Sequence, residues 1–448
     1  MNSIIRNIFV LLCTLSVLSG QAQQQSERVI YSLQDCIQRG LEQNLGLQIT
    51  RNDEQVTHNN ATLANARALP TVDLSAGLRP SLTTSEHSTN RATGEETSNS
   101  GSFDYSTNAA ATLNWTLFDG FKIQANYRQL RLMEQRGETN TRLAIENLVA
   151  DIASEYYNYL QQIIRRSHYR YALSLSKERL RIAELNYQTG RFSGLDYHLA
   201  RVDFNSDSAQ YVKQQQAVRA SRVRLNKLMS NPNVEQRIGV PDSSIWVRDD
   251  LMLEALWQQT LDANASLLRA SQNTMIAEAD YQKVVSRNYP YLKLNAQYGY
   301  TFNHYDEGVT LKRDNSVLNG GLTVGINLWD GNRRRERRNA ELAIENSRLQ
   351  RQQLEIDLHA SLSTFWDAYR NNLALLALQQ QNLEIAESNL EIAMERYKLG
   401  NLSGFDMRQV QKSLLDAEER VLQVQYDAKL CEISLLQISG GIGYYLEE

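Results

Sequence analysis

Residues 397–406 read Tyr397-Lys398-Leu399-Gly400-Asn401-Leu402-Ser403-Gly404-Phe405-Asp406 and lie within a long run, 330–438, that contains no proline. Before this turn, apolar residues recur at steps of three and four, in the series Leu358, Leu362, Phe365, Tyr369, Leu373, Leu376 and Leu383, with the polar Gln380 as the one interruption between the last two. A repeat of about 3.5 residues is typical of a coiled coil. The run therefore predicts two antiparallel helices, 330–397 and 404–439, joined by the quoted turn.

The prolines also favour a few long elements. The chain of 448 residues contains five, Pro70, Pro80, Pro232, Pro241 and Pro290. Because proline interrupts helices, the intervals 81–231 and 291–448 are where long elements can lie. The formal charge of −4 gives no general attraction to nucleic acid, and we expect no nucleic-acid partner.

The N-terminus has the layout of a secretory signal peptide over residues 1–22. Arg6 precedes an apolar core, 8–18, and Gly20-Gln21-Ala22 is a small-x-small cleavage site. After it, no apolar run is long enough for a transmembrane helix, so any membrane span is expected to be β. Cys36 and Cys431 could pair in an exported protein, but ordinary buried thiols are favoured.

The chain contains an internal repeat. Leu33 and Asn44 match Leu253 and Asn264 at a shift of 220 residues. Leu117-Phe118-Asp119-Gly120 matches Leu328-Trp329-Asp330-Gly331 at 211, and Tyr187-x-x-Gly190-x-x-Ser193-Gly194-x-Asp196 matches Tyr397-x-x-Gly400-x-x-Ser403-Gly404-x-Asp406 at 210. We therefore divide the mature chain into a first repeat, 23–230, an irregular connector, 231–250, and a second repeat, 251–448.

Each repeat predicts a helix, two strands, a long helix and a returning helix. In the first repeat these are a helix over 33–69, strands over 71–78 and 109–118 around a solvated loop 81–107, a long helix 119–187 and a return helix 194–230. In the second repeat the strands are 291–302 and 320–329, the long helix is 330–397 and the return helix is 404–439. Asp119 and Asp330 are predicted helix N-caps, because a carboxylate accepts the free amides of a first turn.

The strands alternate apolar and polar residues and are edged with Tyr and Trp. This pattern is typical of a transmembrane barrel, although a half-buried sheet of a soluble domain fits equally well. A membrane barrel must close, and about eight strands is its usual minimum. Four strands per chain therefore require an oligomer, in which two copies would supply about eight strands and three about twelve.

Motifs for chemistry are lacking in the sequence. The six histidines have no metal-ligand spacing, and no P-loop, Gly-x-Ser-x-Gly elbow or dinucleotide-binding glycine motif occurs. We expect neither enzymatic activity nor a cofactor. The run Arg333-Arg334-Arg335-Glu336-Arg337-Arg338 opposes a helix dipole, and we expect it to pair with Glu336 and Glu341 or to meet phospholipid head groups.

The two matched turns are the most specific motif in the sequence. Gly190 and Gly400 can end a helix in the left-handed conformation, Ser193 and Ser403 can open the next one, and Asp196 and Asp406 fall in its first turn. Duplicated capping accounts for these positions. It leaves open whether Tyr187 and Tyr397, just before the tips, are coiled-coil core residues or contact residues.

Together, the repeat, the two Asp-Gly junctions and the Tyr-x-x-Gly-x-x-Ser-x-x-Asp tips resemble the TolC-like outer-membrane factor family over essentially the whole mature chain. The resemblance implies a mixed, mainly α fold. Long antiparallel coiled-coil hairpins would form a periplasmic α-barrel, and four strands per chain would contribute to a homotrimeric, 12-stranded transmembrane β-barrel. The expected partners are two further copies, a periplasmic adaptor protein, an inner-membrane pump and outer-membrane lipid.

The resemblance also implies roles for the tips. Tyr397, Asp406 and Asp196 would form the tunnel entrance, and Gly190, Ser193, Gly400, Leu402 and Ser403 would contact the adaptor. Leu402 and Gln409 depart from family members that carry an arginine and a second acid at these places, so an arginine lock and a double acidic ring are not expected.

The implied function is an outer-membrane channel that passively conducts drugs or other small molecules out of a tripartite export system. Two alternatives remain. One is the outer duct of a type I protein secretion system. The other, from a different class, is a periplasmic structural coiled coil or adhesin stalk.

Overall fold

A computed structural model describes residues 29–99, 101–191, 193–306 and 310–447. The signal peptide predicted over residues 1–22 lies outside the described residues. The helices are α1 (Leu33–Gln43), α2 (Leu45–Asn60), α3 (Lys122–Gln188), α4 (Gly194–Leu228), α5 (Leu253–Ala263), α6 (Ala265–Val285), a 3-10 turn (Ser286–Asn288), α7 (Arg333–Lys398), α8 (Gly404–Ser439) and α9 (Tyr444–Glu447). The strands are β1 (Val29–Ile30), β2 (Thr71–Thr83), β3 (Glu86–Thr89), β4 (Glu96–Asn99), β5 (Ser102–Asp119), β6 (Ile238–Gly239), β7 (Tyr291–His304) and β8 (Lys312–Gly325).

The chain divides into two compact units. The first contains the described residues of 1–48, 145–263 and 359–448, which include both helical turns and the connector. The second contains 49–144 and 264–358, which include the long strands.

The helix predicted over 33–69 is wrong in two places. It is interrupted at Asn44, which adopts an extended conformation and whose side-chain oxygen accepts the Leu47 amide at 3.0 Å. It also ends at Asn60, where the Asn65 amide group donates to the Asn60 carbonyl at 2.9 Å. Side-chain hydrogen bonds of this kind compete with helical ones. Asn264 makes the same break between α5 and α6, accepting the amides of Ser266 and Leu267.

The long strands of the second unit form one antiparallel sheet in the order β2-β5-β7-β8. The loop predicted over 81–107 is wrong for most of its length, because β2 continues through Pro80 to Thr83, β3 pairs with β4, and β5 starts at Ser102. Residues 90–95, between β3 and β4, are outside strands as predicted. Ser and Thr side chains are compatible with such pairing, since Thr in particular favours strands. The strand predicted to reach residue 329 stops at Gly325, whose partner Tyr291 directly follows Pro290.

One face of this sheet is apolar and exposed. Leu74, Ala111, Tyr298 and Leu318 form one cross-strand row, and within it Leu74 is 85% and Leu318 78% exposed. On the opposite face, the side-chain amide of Asn295 donates to Asn114 at 2.7 Å. The sheet of this chain therefore leaves a large apolar surface uncovered.

The helices of the first unit bury apolar residues of both long helices, α3 and α7. Val149, Ile152, Tyr156 and Leu160 are fully buried, as are Leu362 and Tyr369 of the second repeat. Cys36 and Cys431 are both buried and free, as favoured from the sequence. Within the described ranges, no helix combines the length and apolar character needed to span a bilayer.

Candidate functional site

The two turns, which follow Gln188 and Lys398, end their helices with the same backbone conformation. Gly190 and Gly400 have φ values of 73° and 78°, in the left-handed region. At the second turn, the Gly400 amide donates to the Tyr397 carbonyl at 3.0 Å and the Asn401 amide to the Arg396 carbonyl at 2.9 Å. This pair of bonds defines a Schellman helix end. The first turn repeats it, with Gly190 to Tyr187 at 3.1 Å and Arg191 to Asn186 at 2.8 Å.

The returning helices are capped by serine and aspartate. The Ser193 and Ser403 hydroxyl oxygens accept the amides of Asp196 and Asp406 at 3.3 and 3.0 Å. Each hydroxyl in turn donates to the aspartate carboxylate at 2.7 Å. The Ser193 amide also donates to Asp196 at 3.1 Å, which completes a capping box. Asp196 is half-buried, whereas Asp406 is exposed.

The two tip tyrosines are not equivalent. Tyr397 is 1% exposed and packs in a buried cluster with Leu390 and Met407. Burial raises the pKa of the Tyr397 hydroxyl, the positive charge of Arg179 opposes this rise, and the charge of Asp196 adds to it. Tyr187 is 49% exposed and stacks on Tyr197, with ring centroids 5.7 Å apart.

An ionic cluster next to these tips was missed in the sequence. Arg408 on α8 makes two hydrogen bonds to the Asp207 carboxylate on α4, at 2.7 and 2.8 Å. Its Nε lies 3.7 Å from an oxygen of Asp203, which also pairs with the buried Arg179 of α3. The cluster therefore ties the hairpin of the first repeat to that of the second. Only the i, i+4 spacing of the two aspartates could have signalled it.

The remaining tip residues present a mixed surface. Leu402 is half-buried and packs on the cluster around Tyr397. Gly190, Ser193, Gly400 and Ser403 are exposed. Two large apolar side chains beside them, Leu399 and Phe405, are 75% and 77% exposed.

The predicted caps lie in the second unit. One oxygen of Asp119 accepts the Ile123 amide, in the first turn of α3, at 3.0 Å. Asp330 accepts the amide of Asn332, just before α7, at 2.9 Å. Asp119 therefore bonds an amide inside its helix from three residues ahead of it, whereas the Asp330 side chain bonds an amide that precedes α7, so neither residue occupies the N-cap position itself.

Two arginines of the run at the start of α7 pair with a glutamate. Glu341 lies 3.2 Å from Arg337 and 3.4 Å from Arg338, whereas Glu336 pairs with Arg287, outside the run. The internally paired alternative therefore holds for Arg337 and Arg338, and Glu336 is not their partner. Across the residues that the structure describes, no three His, Cys, Asp or Glu side chains are grouped to hold a metal ion.

Solved structures similar to this chain are outer-membrane proteins. The CmeC outer membrane channel of Campylobacter jejuni superposes with a TM-score of 0.75 at 18% identity, covering 91% of this chain and 85% of that one. The outer membrane protein VceC of Vibrio cholerae gives 0.73 at 17% identity, covering 91% and 96%. The open-state MtrE outer membrane channel of Neisseria gonorrhoeae gives 0.66 at 16%, covering 92% and 89%. Identities this low establish a shared fold.

Among curated protein sequences, none matches this chain. The sequence profile of the family described as outer membrane efflux protein matches residues 36–231 and 256–441, one segment in each repeat. The two segments cover most of the chain, and both helical tips lie within them. The chain belongs to the outer membrane efflux protein family.

Proposed function

We propose that the protein is the outer-membrane duct of a tripartite export system, which conducts small molecules passively from an inner-membrane pump and its periplasmic adaptor to the exterior. Its location in the outer membrane and its role as an efflux channel follow from the family. The homotrimer, the adaptor, the pump, the cargo and the roles of individual tip residues are the parts proposed here.

The single observation that supports the proposed oligomer is that the sheet of one chain is open at both edges. Strands β2 and β8 are its edges, and strand direction alternates from β2 through β5 and β7 to β8. Edge β8 of one copy can therefore pair antiparallel with edge β2 of the next. Three copies would close about twelve strands into one cylinder with its apolar face toward lipid, leaving no unpaired edge.

Helix α7 carries a second surface suited to another copy. Exposed apolar side chains recur every seven residues along it, at Leu378, Ile385 and Ile392, and their exposed fractions are 56%, 60% and 55%. A seven-residue apolar repeat is the pattern that packs against a neighbouring helix. We assign this stripe to contacts between subunits of a hollow helical stalk.

The entrance is assigned to the tips. Asp406 is exposed and, repeated by three subunits, would form an acidic ring that favours cations. Tyr397 and Asp196 would set the position of the second hairpin, because Tyr397 is buried beneath the tip and the charge of Asp196 contributes to the raised pKa of its hydroxyl. Gly190, Ser193, Gly400, Leu402 and Ser403 would form the adaptor-facing surface, together with the exposed Leu399 and Phe405.

Assembly is tested on protein extracted from outer membranes. Wild type should run as a heat-modifiable trimer and form pores in planar bilayers. Replacing Ile385 and Ile392 by aspartate should abolish the trimer, whereas Ile385→Val, which keeps the apolar surface, should not. A single water-soluble copy of wild type without pore conductance would refute the duct.

The entrance is tested by single-channel recording. Asp406→Asn removes the charge but keeps an acceptor for the Ser403 hydroxyl, so the cap should survive while block by added divalent cations weakens. Asp416→Asn, at another exposed acid of α8, is the control and should keep the block. Unchanged block in Asp406→Asn would remove that residue from the entrance.

Cargo is tested separately, because a type I protein secretion duct would share this architecture. Deleting the gene should raise drug susceptibility if the cargo is small molecules. Loss of a secreted protein with unaltered drug susceptibility would instead assign the duct to protein secretion.

A further inference from the structure

A hollow of about 500 Å³ in the first unit is lined by four arginines and by no acidic residue. Arg166 belongs to α3, Arg219 and Arg222 to α4, and Arg237 to the segment that leads into β6. Three separate parts of the chain therefore direct positive charge toward one place. We call this hollow the arginine pocket.

The absence of acids is specific to the pocket. Arg165, next to Arg166, pairs with Glu419 at 2.6 Å, and Arg224, two residues after Arg222, pairs with Glu155 at 3.0 Å. None of the four pocket arginines makes an ion pair with any residue that the structure describes. Since arginine stays protonated in proteins, four positively charged residues line one hollow without an ion-pair partner in the described part of the chain, Arg166 and Arg222 half-buried and Arg219 and Arg237 exposed.

Arg222 adds a second observation. Its Nε is buried and has no hydrogen-bond partner among the described atoms. A buried donor left unpaired destabilises a protein, so such a group usually has a partner in the native state. A ligand in the pocket toward which the Arg222 side chain turns would supply that partner.

The other lining residues are held by a hydrogen bond and by burial. The Tyr159 hydroxyl donates to the Ile238 carbonyl at 2.7 Å, and Val218 and Ile238 are buried. Ile238 also belongs to β6, which pairs in parallel with β1. α3, β1 and β6 are thus joined at the lining of the pocket, so fewer of its residues have to be ordered when a ligand binds.

We propose that the arginine pocket binds an anion that carries phosphate groups. The guanidinium fork matches phosphate oxygens, with which it forms two parallel charge-assisted hydrogen bonds. A phosphate monoester carries about −1.5 to −2 charge at neutral pH, so one or two of them offset four arginines better than a single carboxylate does. The volume is within the range of small-molecule sites, about 300–1,000 Å³.

The ligand is either a free phosphorylated small molecule or a phospholipid head group, because both present phosphate oxygens that accept hydrogen bonds from guanidinium groups. The assignment does not rest on the proposed duct, since it uses residues of a single chain. Its test accordingly measures binding, not transport.

The test is calorimetric titration of inorganic pyrophosphate into the full-length protein in detergent. Wild type should bind about one pyrophosphate per chain, and the double variant Arg219→Gln/Arg222→Gln should weaken binding by about tenfold or more. Arg224→Gln is the matched control, because this arginine lies on the same helix but pairs with Glu155 outside the pocket. Arg222→Lys, which keeps the charge but loses the fork, should fall between wild type and the double variant.

A second arm separates the two ligand sources. Dihexanoyl phosphatidylglycerol that competes with pyrophosphate would assign the pocket to lipid head groups, and failure to compete would assign it to free anions. If the double variant folds poorly, Arg237→Gln, which lies in the exposed connector, provides the same comparison.

The proposal is overturned if wild type does not bind pyrophosphate, or if Arg224→Gln loses as much affinity as the double variant. If wild type binds no pyrophosphate and the double variant also loses its oligomeric state, the four arginines contact an acidic surface of another chain instead of a small anion.

Discussion

Arg408 and Asp207 are 201 residues apart in sequence, yet the Arg408 guanidinium donates two hydrogen bonds to the Asp207 carboxylate, at 2.7 and 2.8 Å. Asp207 also accepts the hydroxyl of the buried Ser176. One carboxylate therefore joins α3 and α4 of the first repeat to α8 of the second. Any movement of the second hairpin away from the first must break this pair.

Replacing Arg408 by glutamine should destabilise the protein by roughly 2 kcal/mol, less than a fully buried pair would cost because Arg408 keeps some solvent contact. The side chain of Asp207 is only 9% exposed and would lose its charged partner. Guanidinium denaturation in detergent measures the change. Arg181→Gln, which breaks an exposed pair with Glu178, should leave the midpoint unchanged, and an equal shift in both variants would contradict the prediction.

Glu418 should make stability depend on pH. Burial, followed by the charges of Glu387 and Glu419, raises the pKa of Glu418 to about 7, from an ordinary value of 4.5. The folded state then binds a proton that the unfolded chain has lost, so stability falls as pH rises from about 4.5 to 7.

The variant Glu418→Gln removes this titration. At pH 8 it should be more stable than wild type by about 1–2 kcal/mol, a figure reduced for the partial exposure of the side chain, whereas near pH 4 the difference should vanish. Urea denaturation at both pH values measures it. Glu384→Gln, at an exposed site on α7, should show no such dependence on pH.

Two nearby glycines, Gly400 and Gly404, should respond differently to replacement by alanine, because only Gly400 adopts a left-handed conformation. Gly400 has a φ of 78° with open space around it, so Gly400→Ala should cost about 1–2 kcal/mol through backbone strain alone. Gly404 also has open space, but it lies in the first turn of α8 without a positive φ. Gly404→Ala should therefore be neutral or stabilising by about 0.5 kcal/mol. Thermal unfolding of both variants, if equal, would argue against strain at Gly400.

The buried ion pair of Lys429 and Glu432 should contribute to stability only when both residues are present. The Lys429 ammonium lies 2.7 Å from Glu432, and both side chains are almost completely buried. Glu432 also accepts the Tyr445 hydroxyl at 2.9 Å and the Arg248 amide at 3.0 Å. Lys429→Met should cost about 3–5 kcal/mol, because it leaves the Glu432 charge unpaired.

A double-mutant cycle with Glu432→Leu isolates this pair. The double variant should be destabilised by less than the sum of the two single variants, since neither charge then remains alone. Additive costs in chemical denaturation would show that the two residues do not depend on each other.

The sequence predicts the fold class and both tips well, because these depend on local rules. The steps of three and four residues in 358–383 specify a helix whatever packs on it, and Gly190 and Gly400 specify left-handed turns. It fails over 61–69 and 81–107. There, short-range side-chain bonds and edge pairing decide the conformation, and composition does not reveal either.

For the candidate site, the sequence singles out Tyr397 and Tyr187 as equivalents, and the structure separates them. Met407 and Leu390 enclose Tyr397, whereas Tyr187 stacks on Tyr197 at the surface. The two repeats share their turns, but each tyrosine is surrounded by different helices. Matched positions in a duplicated chain therefore do not have matched environments.

The sequence alone determines the duplication, the long helices and the capped turns, since each follows from residues within a few positions of one another. Only the tertiary structure decides which charged side chains come together: Arg408 pairs with Asp207, and Arg166 lines one hollow with Arg219, Arg222 and Arg237. Arg408 is 201 residues from Asp207, and Arg166 is 53 to 71 residues from the other three arginines. The packing of helices brings these side chains together, and the polar faces of those helices are similar in sequence.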